Sequence, residues 1–496
     1  MKKAIQTWSA GLALALWAQA AAGAPSGGKK SGLRVDPAHP RYLLYNGRPF
    51  YLIGSGMESI CQPWSRSREQ WRRYLDMLRR NGFNRVRFFP WDLCWQKELL
   101  PAFSPWAVRD AKAFDFELTR FNPAYWRLVK SIVKMAEERD IAVEYILFDY
   151  CCLRDGRTEK PWSRCPLAAA NGNGGAVPGG IGKPGVCLFA DYNDLDLFRR
   201  PFRPQWDWKK RNQWIQQAYV KHTLDQLGGF PNIYWEIMNE QGWGKVEPDG
   251  VRWTRHWLAF LDKHDSRRHL RSINAADVYD QMRGIDIVCE HPIPFFHKRE
   301  LRTPEAAVSV IARNLRFGKP VVCDETGFFP PPGSTADEAW RRSSPEQLAN
   351  ERRAFWFSFV AGGHWTAACW QDFRERDTHR WARHLAEFVR LVNCREMDPH
   401  DDLVKGGHCL ARLGREYALY TGWGARMEVD LSALGDRRAL ARWFDPRTGK
   451  LTRASAVGEA NGRKIFEPPS REDWALWIVA ASSRPRRAEG APAEVR

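Results

Sequence analysis

The apolar residues of this chain recur at two spacings, one typical of buried strands and one typical of amphipathic helices. The first helical segment runs from Ser67 to Asn81 and places Trp71 and Leu78 on one face. The strand-like run from Phe83 to Phe89 follows it. Eight strand-like runs alternate with helices in this way between about residues 34 and 400. This rhythm predicts an α/β fold, a (β/α)8 TIM barrel.

Two further segments predict β structure outside the barrel. Asn46-Gly47 separates two short apolar runs, which is a strong hairpin signal, and this hairpin is expected to lead into the first barrel strand. After about residue 401, short alternating apolar runs are separated by Gly, Asp and Pro. They predict a small all-β sandwich domain over residues 401–482, downstream of a barrel over residues 34–400.

The chain ends have compositions of their own. Met1-Lys2-Lys3, followed by an apolar run and small residues, predicts a Sec-type signal peptide over residues 1–24. Residues 25–33 are interpreted as a flexible leader, and residues 483–496, rich in Arg, Pro and Ala, as a disordered tail. No later stretch approaches the roughly 20 apolar residues of a membrane span. We therefore expect a secreted or periplasmic protein without an integral membrane segment.

The formal net charge of +18 over 496 residues favours anionic partners, such as an anionic glycan. The positive residues are spread along predicted helix faces, which argues against nucleic acid as a partner. No metalloprotease motif and no serine-hydrolase elbow occurs, and we expect no cofactor and no metal. The eleven cysteines leave the disulfide connectivity open, and the oligomeric state is equally unknown.

Two predicted barrel strands carry a glutamate at the carboxyl end, where the active sites of such barrels lie. Glu240 closes the fourth strand after Asn239, and Glu325 closes the seventh. A strand-end glutamate can instead form an ion pair with a neighbouring arginine. Two carboxylates at these positions suit cleavage of a glycosidic bond, because one can protonate the leaving oxygen while the other attacks or activates water. The sequence therefore predicts a glycoside hydrolase.

Strict alternation along a strand makes a further prediction about these two glutamates. It turns Glu240 to the same side as Glu236 and Met238. It likewise turns Glu325 to the same side as Val321 and Cys323, so that both glutamates can face the barrel axis. Glu236 itself is interpreted as a buried polar support inside the barrel.

The segments Trp235-Glu-Ile-Met-Asn-Glu240 and Val322-Cys-Asp-Glu-Thr-Gly327 resemble the fourth- and seventh-strand signatures of clan A retaining glycosidases, which include the family 5 cellulases and mannanases. The resemblance implies Glu240 as the catalytic acid/base, Glu325 as the catalytic nucleophile and Asn239 as the partner of the sugar 2-hydroxyl. It also implies substrate-binding roles for three further residues: Arg87 on the second strand, which would also orient the nucleophile, His291 on the sixth and Trp370 on the eighth. The structural alternatives to these roles are that Arg87 lies at the surface and that Trp370 packs in the core.

The overall layout is similar to the apiosidase-like branch of clan A, family 140. The similarity lies in the Asn46-Gly47 hairpin, the helix start at Phe121-Asn-Pro-Ala-Tyr-Trp126 and the Trp443-Phe-Asp-Pro-Arg-Thr-Gly449 segment. That branch joins its barrel to a module labelled as collagen-binding, which we interpret as a brace for the barrel. The expected protein is a secreted O-glycosyl hydrolase acting on a polysaccharide or oligosaccharide of unknown sugar, linkage and endo or exo mode. The alternative is a non-catalytic barrel that binds a glycan or the cell envelope.

Overall fold

A computed structural model describes most of the chain. The described residues are 31–59, 67–90, 103–113, 115–149, 208–240, 248–274, 283–290, 303–326, 345–367, 380–458 and 462–481; the side chains of 57–59, 208–213, 248–250 and 325–326 lie outside this description. Up to residue 391 the elements are, in chain order, β1 (Leu33–Val35), β2 (Leu43–Tyr45), β3 (Arg48–Phe50), β4 (Ile53–Ser59), α1 (Arg68–Arg80), β5 (Arg85–Phe89), β6 (Trp106–Asp110), β7 (Asp115–Phe121), α2 (Pro123–Glu137), β8 (Ala142–Asp149), α3 (Trp208–Leu227), β9 (Ile233–Asn239), α4 (Pro248–His264), β10 (Arg271–Asn274), β11 (Ile287–Glu290), α5 (Ala306–Asn314), β12 (Val321–Thr326), α6 (Pro345–Val360), β13 (His364–Ala367) and α7 (Arg380–Leu391).

Eight parallel strands close into a barrel in the order β4, β5, β8, β9, β10, β11, β12 and β13, and β13 pairs with β4 to complete the ring. The predicted TIM-like barrel is therefore confirmed, with Glu240 following its fourth strand and Glu325 in its seventh. The helices carry buried apolar faces, which pack around the strands in one large hydrophobic core. None of the helices within the described residues has the length and hydropathy of a membrane span.

Local capping fixes where the first helices begin. Ser67 and Gln70 form a capping box, in which each side chain satisfies the backbone N–H of the other. Asn122 caps α2, and Pro123 occupies its first turn, where the missing N–H has no cost. These helices consequently begin within one residue of the predicted positions.

A small antiparallel sheet of β1, β2 and β3 covers the amino-terminal end of the barrel. Asn46 and Gly47 both have positive φ, 51° and 79°, as a tight hairpin turn requires. The buried Leu43 and Tyr45 of this sheet pack against side chains at the beginnings of the barrel strands, among them Leu52, Ala142, Tyr234, Leu270, Ile287 and Val322. Within the described residues, these side chains fill the amino-terminal end of the barrel.

Antiparallel sheets follow the barrel, which confirms the predicted β-sandwich. The strands are β14 (Asp398–Pro399), β15 (Val404–Lys405), β16 (His408–Arg412), β17 (Glu416–Thr421), β18 (Met427–Asp430), β19 (Ala439–Phe444), β20 (Ser455–Ala456), β21 (Arg463–Phe466) and β22 (Trp474–Ala480). One sheet has the order β14-β16-β17-β22-β19-β20 and the other β15-β18-β21. A separate apolar core containing Leu419, Val429 and Ile478 lies between the two sheets.

The other face of the six-stranded sheet packs on helices of the barrel. Trp356 of α6 stacks on Tyr420 with ring centroids 5.5 Å apart, and Phe388 of α7 contacts Phe444 at 5.2 Å. Beside these rings, Arg352 donates two hydrogen bonds to the buried carboxylate of Asp473, at 3.0 and 2.8 Å. The barrel core thus continues into the sandwich, and the domain boundary at residue 401 stays a prediction.

Candidate active site

The barrel interior contains two layers of buried charged side chains, built on the two arginines of β5. In the lower layer, Arg85 donates to the hydroxyl of Tyr234 at 2.5 Å and to Oδ1 of Asp324 at 2.8 Å, and it also pairs with Glu144. Ser272 donates to the same Glu144 at 2.7 Å. Burial alone would lower the pKa of Arg85, but its anionic neighbours raise it, so the guanidinium stays charged.

The upper layer is centred on Arg87, whose side chain is fully buried. Its Nε donates to Oε2 of Glu236 at 2.7 Å, and its Nη2 donates to Oε1 at 2.6 Å. The same Nη2 donates to Oδ1 of Asn239 at 2.7 Å. A two-point pair of this kind fixes the plane of the guanidinium. Arg87 therefore connects the second strand to the end of the fourth.

Asn239, the last residue of β9, is held at both ends of its amide. Its Oδ1 accepts from Arg87, and its Nδ2 donates to Oδ1 of Asp149 at 2.9 Å. Asp149 is the last residue of β8, directly beside Asn239 in the parallel pairing of the two strands. Both side chains are buried. The ends of the third and fourth barrel strands are thus joined by a side-chain hydrogen bond at the carboxyl end of the barrel.

Glu240 follows Asn239 directly and has a left-handed backbone, with φ of 52°. Its side chain is half-buried. The left-handed region is costly for residues with a Cβ, typically about 1 to 3 kcal/mol, and such strained residues concentrate at functional sites. The other described non-glycine residues with positive φ are Asn46, Asp140 and Arg268, all in connections away from the carboxyl ends of the barrel strands.

The expectation that Met238, Val321 and Cys323 share the axis-facing side of their strands is wrong. Glu236 and Asp324 contact the interior arginines, but Met238, Val321 and Cys323 pack in the core that contains the helices. In β12 the pairing with β13 shifts register between Cys323 and Thr326. Irregularities of this kind re-aim side chains next to active sites. Regular alternation therefore does not predict the side-chain directions of the last residues of β9 and β12.

The structure brings some of the predicted site residues together. Arg87 and Asn239 are in contact, and Glu240 is the next residue in the chain. The backbone of Glu325 lies in β12, while its side chain is outside the described residues. His291 and Trp370 also lie outside the described residues.

One group of potential metal ligands occurs among the described residues: Glu144, Cys289 and Asp324. Arg85 already pairs with both carboxylates and supplies the positive charge that a metal would bring. Burial raises the pKa of the Cys289 thiol well above its usual value, which disfavours the thiolate that binds metals. We therefore interpret this group as an ion-pair network.

The sequence interpretation overlooked Asp149 and the lower charged layer. Asp149 ends the third barrel strand as Asn239 ends the fourth, so the strand-end criterion could have identified it. Arg85 and Glu144 interrupt apolar runs at inward positions, a signal for polar groups in a barrel. Their partners are distant in sequence, however, and no local pattern predicts which side chains meet.

Comparison with known families supports the resemblance. Residues 38–163 match the family model described as "Apiosidase-like, catalytic domain", and residues 400–479 match "Putative collagen-binding domain of a collagenase". No curated protein matches this chain. The first match ends before Glu240 and Glu325. The chain therefore carries a glycoside-hydrolase-like catalytic domain followed by a collagen-binding-type domain, and the predicted resemblance is confirmed.

Solved structures extend the likeness over most of the chain. One described as "Glycoside hydrolase" has a TM-score of 0.61 at 16% identity and covers 91% of this chain and 98% of its own. A glycoside hydrolase family 5 protein from Bacteroides vulgatus ATCC 8482 has a TM-score of 0.60 at 15% identity, covering 90% of this chain and 94% of its own. At these identities the likeness establishes the fold, which agrees with the barrel and sandwich described above.

Proposed function

We propose that this protein is a secreted or periplasmic glycoside hydrolase that cleaves O-glycosidic bonds with retention of anomeric configuration. The observation that carries this proposal is the fixed amide of Asn239, held by Arg87 and Asp149 immediately before the strained Glu240. The closed barrel leaves its carboxyl end as the place for a substrate, and a glycoside-hydrolase-like domain implies a carbohydrate. Export is proposed from the predicted signal peptide over residues 1–24.

In the proposed mechanism Glu325 attacks the anomeric carbon while Glu240 donates a proton to the leaving oxygen. The glycosidic bond breaks and an ester to Glu325 forms. Glu240, now a carboxylate, takes a proton from water, which attacks the anomeric carbon and releases the sugar and free Glu325. Retention of this kind needs the two carboxyl groups about 5 to 5.5 Å apart. Asn239 hydrogen-bonds the sugar 2-hydroxyl, and His291 and Trp370 contact the sugar.

The positive charge of the chain supports an anionic glycan as one candidate substrate. A net charge of +18 would raise the local concentration of uronate-bearing or sulfated chains and speed their association at low salt. This attraction acts at a distance and does not select a linkage. Neutral and anionic polysaccharides therefore both belong in the search for a substrate.

The test is a hydrolysis screen over plant and bacterial polysaccharides and 4-nitrophenyl glycosides, with the anomer of the first product recorded by NMR. We expect cleavage with retention, and we expect Glu325→Gln to fold normally and lose hydrolysis. Inversion would contradict the nucleophile role of Glu325, as would undiminished turnover by the folded variant. Glycan binding by the wild type without cleavage would favour the non-catalytic binding barrel instead.

A further inference from the structure

We propose that Asp149 is a positioning residue that fixes the amide of Asn239, so that its N–H edge is presented to the sugar 2-hydroxyl. This inference rests on the proposed function and adds a residue to it. Asp149 acts through Asn239 and not on the reacting atoms.

The chemistry of the two partners permits only one orientation of the amide. The guanidinium of Arg87 has donors only, and it meets Oδ1 of Asn239 at 2.7 Å. An ionised carboxylate has acceptors only, and Asp149 meets Nδ2 at 2.9 Å. A rotation of the amide by 180° would oppose donor to donor and acceptor to acceptor. Arg87 restrains the oxygen edge of the amide, and Asp149 restrains its nitrogen edge against rotation about the Cβ–Cγ bond.

The backbone supports the same conclusion. Asp149 and Asn239 are directly paired at the ends of β8 and β9. Just before them, Phe148 and Met238 are also paired, and both pack in the core that contains the helices. The two strands thus deliver their terminal polar side chains to the interior together, and both are buried with exposures of 5% and 3%.

The second Nδ2 hydrogen of the amide is the group that we assign to the ligand. Nδ2 carries two hydrogens, and Asp149 accepts one of them. Among the described residues no further acceptor is recorded for Asn239. Hydrogen bonds to the sugar 2-hydroxyl strengthen in the transition state of glycoside cleavage, so correct orientation of this N–H should raise kcat more than it lowers KM.

The experiment compares two substrates: the 4-nitrophenyl glycoside that the wild type cleaves fastest and its 2-deoxy counterpart. Asp149→Leu should lower kcat on the first by about 10- to 100-fold, the worth of one hydrogen bond to a charged group. It should have little effect on the 2-deoxy substrate, which lacks the hydroxyl that Asn239 binds. Asp149→Asn should restore most activity, because its amide oxygen can still accept from Asn239.

The matched control is Asp265→Leu. Asp265 is also buried and accepts from the indole of Trp235 at 3.1 Å, outside the barrel interior. This variant should lose stability but should change kcat on both substrates by the same factor. Equal losses on both substrates for Asp149→Leu, as for the control, would overturn the proposal.

A second measurement needs no activity. Asn239→Asp places a carboxylate beside Asp149 and should lower the melting temperature. Adding Asp149→Asn should recover most of this loss, because the double variant again has a donor opposite an acceptor. Additive losses would show that the two side chains do not act as a pair and would overturn the inference. If the wild type cleaves no glycoside, the proposed function fails, while this cycle still decides whether Asp149 fixes the amide.

Discussion

Arg87 and Glu236 form a two-point ion pair in the centre of the barrel, with Nε to Oε2 at 2.7 Å and Nη2 to Oε1 at 2.6 Å. Both side chains are fully buried. Removing one partner of such a pair leaves an uncompensated charge away from water. Because Arg87 also holds Asn239, the ion pair links the stability of the barrel to the geometry of the candidate site.

We therefore expect Glu236→Gln to lower the free energy of unfolding by about 3 to 5 kcal/mol, the usual cost of breaking a buried pair. The free energy of unfolding is measured by urea titration, with tryptophan fluorescence as the signal. Glu69→Gln serves as the control, because Glu69 pairs with Arg72 on an exposed face of α1 and should change the midpoint little. Similar midpoints for the two variants would contradict the assigned role of Glu236.

The proposed acid role of Glu240 predicts a dependence on the leaving group. Glu240→Ala should lose much more activity on substrates with poor leaving groups than on activated aryl glycosides, because an activated leaving group needs less protonation. The measurement is kcat/KM over a series of aryl glycosides of decreasing leaving-group acidity. Equal losses across the series would argue against Glu240 as the acid.

The left-handed backbone of Glu240 predicts a separate effect on stability. Glu240→Gly and Glu240→Ala both remove the carboxylate, but only glycine accepts a φ of 52° without strain. We expect the glycine variant to be the more stable by about 1 kcal/mol, although both should be poorly active. Thermal unfolding of the two variants side by side provides the comparison. A more stable alanine variant would mean that this residue carries no backbone strain.

The sequence was sufficient for the fold because the barrel signal is local. Helix α6, Pro345–Val360, for example, has a proline at its start and the largely apolar run Ala354–Val360 at its end, and both are local signals. The hairpin of Trp106–Asp110 and Asp115–Phe121 was not predicted, because its strands mix charged and apolar residues without clear alternation. Helix α7, Arg380–Leu391, was overlooked although Trp381, Leu385 and Phe388 have helical spacing.

The candidate site was predictable only in part. The strand-end rule selected Glu240 and Asn239 from sequence, and the resemblance added Arg87. The rule of strict alternation failed for Met238 because the last residues of a strand need not continue its regular geometry. The contact between Asp149 and Asn239 depends on which strands are neighbours in the closed barrel, and spacing along the chain does not contain that information.

The interface between barrel and sandwich predicts that the C-terminal module braces the barrel. Arg352 and Asp473 form its central ion pair, and the hydroxyl of Tyr420 donates to the same carboxylate at 3.1 Å. Arg352→Leu should destabilise the protein by about 3 kcal/mol or more, because Asp473 stays buried without its guanidinium. The double variant Arg352→Leu with Asp473→Leu should recover part of the loss. Denaturant unfolding of the cycle measures the coupling, and simple additivity would contradict this pairing.

His408 predicts how stability depends on pH. Burial would lower the pKa of its ring, but Asp401 at 2.7 Å and Glu305 of the barrel at 3.0 Å raise it above the ordinary value. A raised folded pKa contributes stability that is complete below the unfolded pKa of about 6.5 and is lost as pH rises through the folded pKa. His408→Gln should therefore cost stability at pH 6 and progressively less above about pH 6.5. Glu305→Gln should reduce the change in this cost between pH 6 and higher pH, and a constant cost at every pH would show that folding does not raise the pKa of His408.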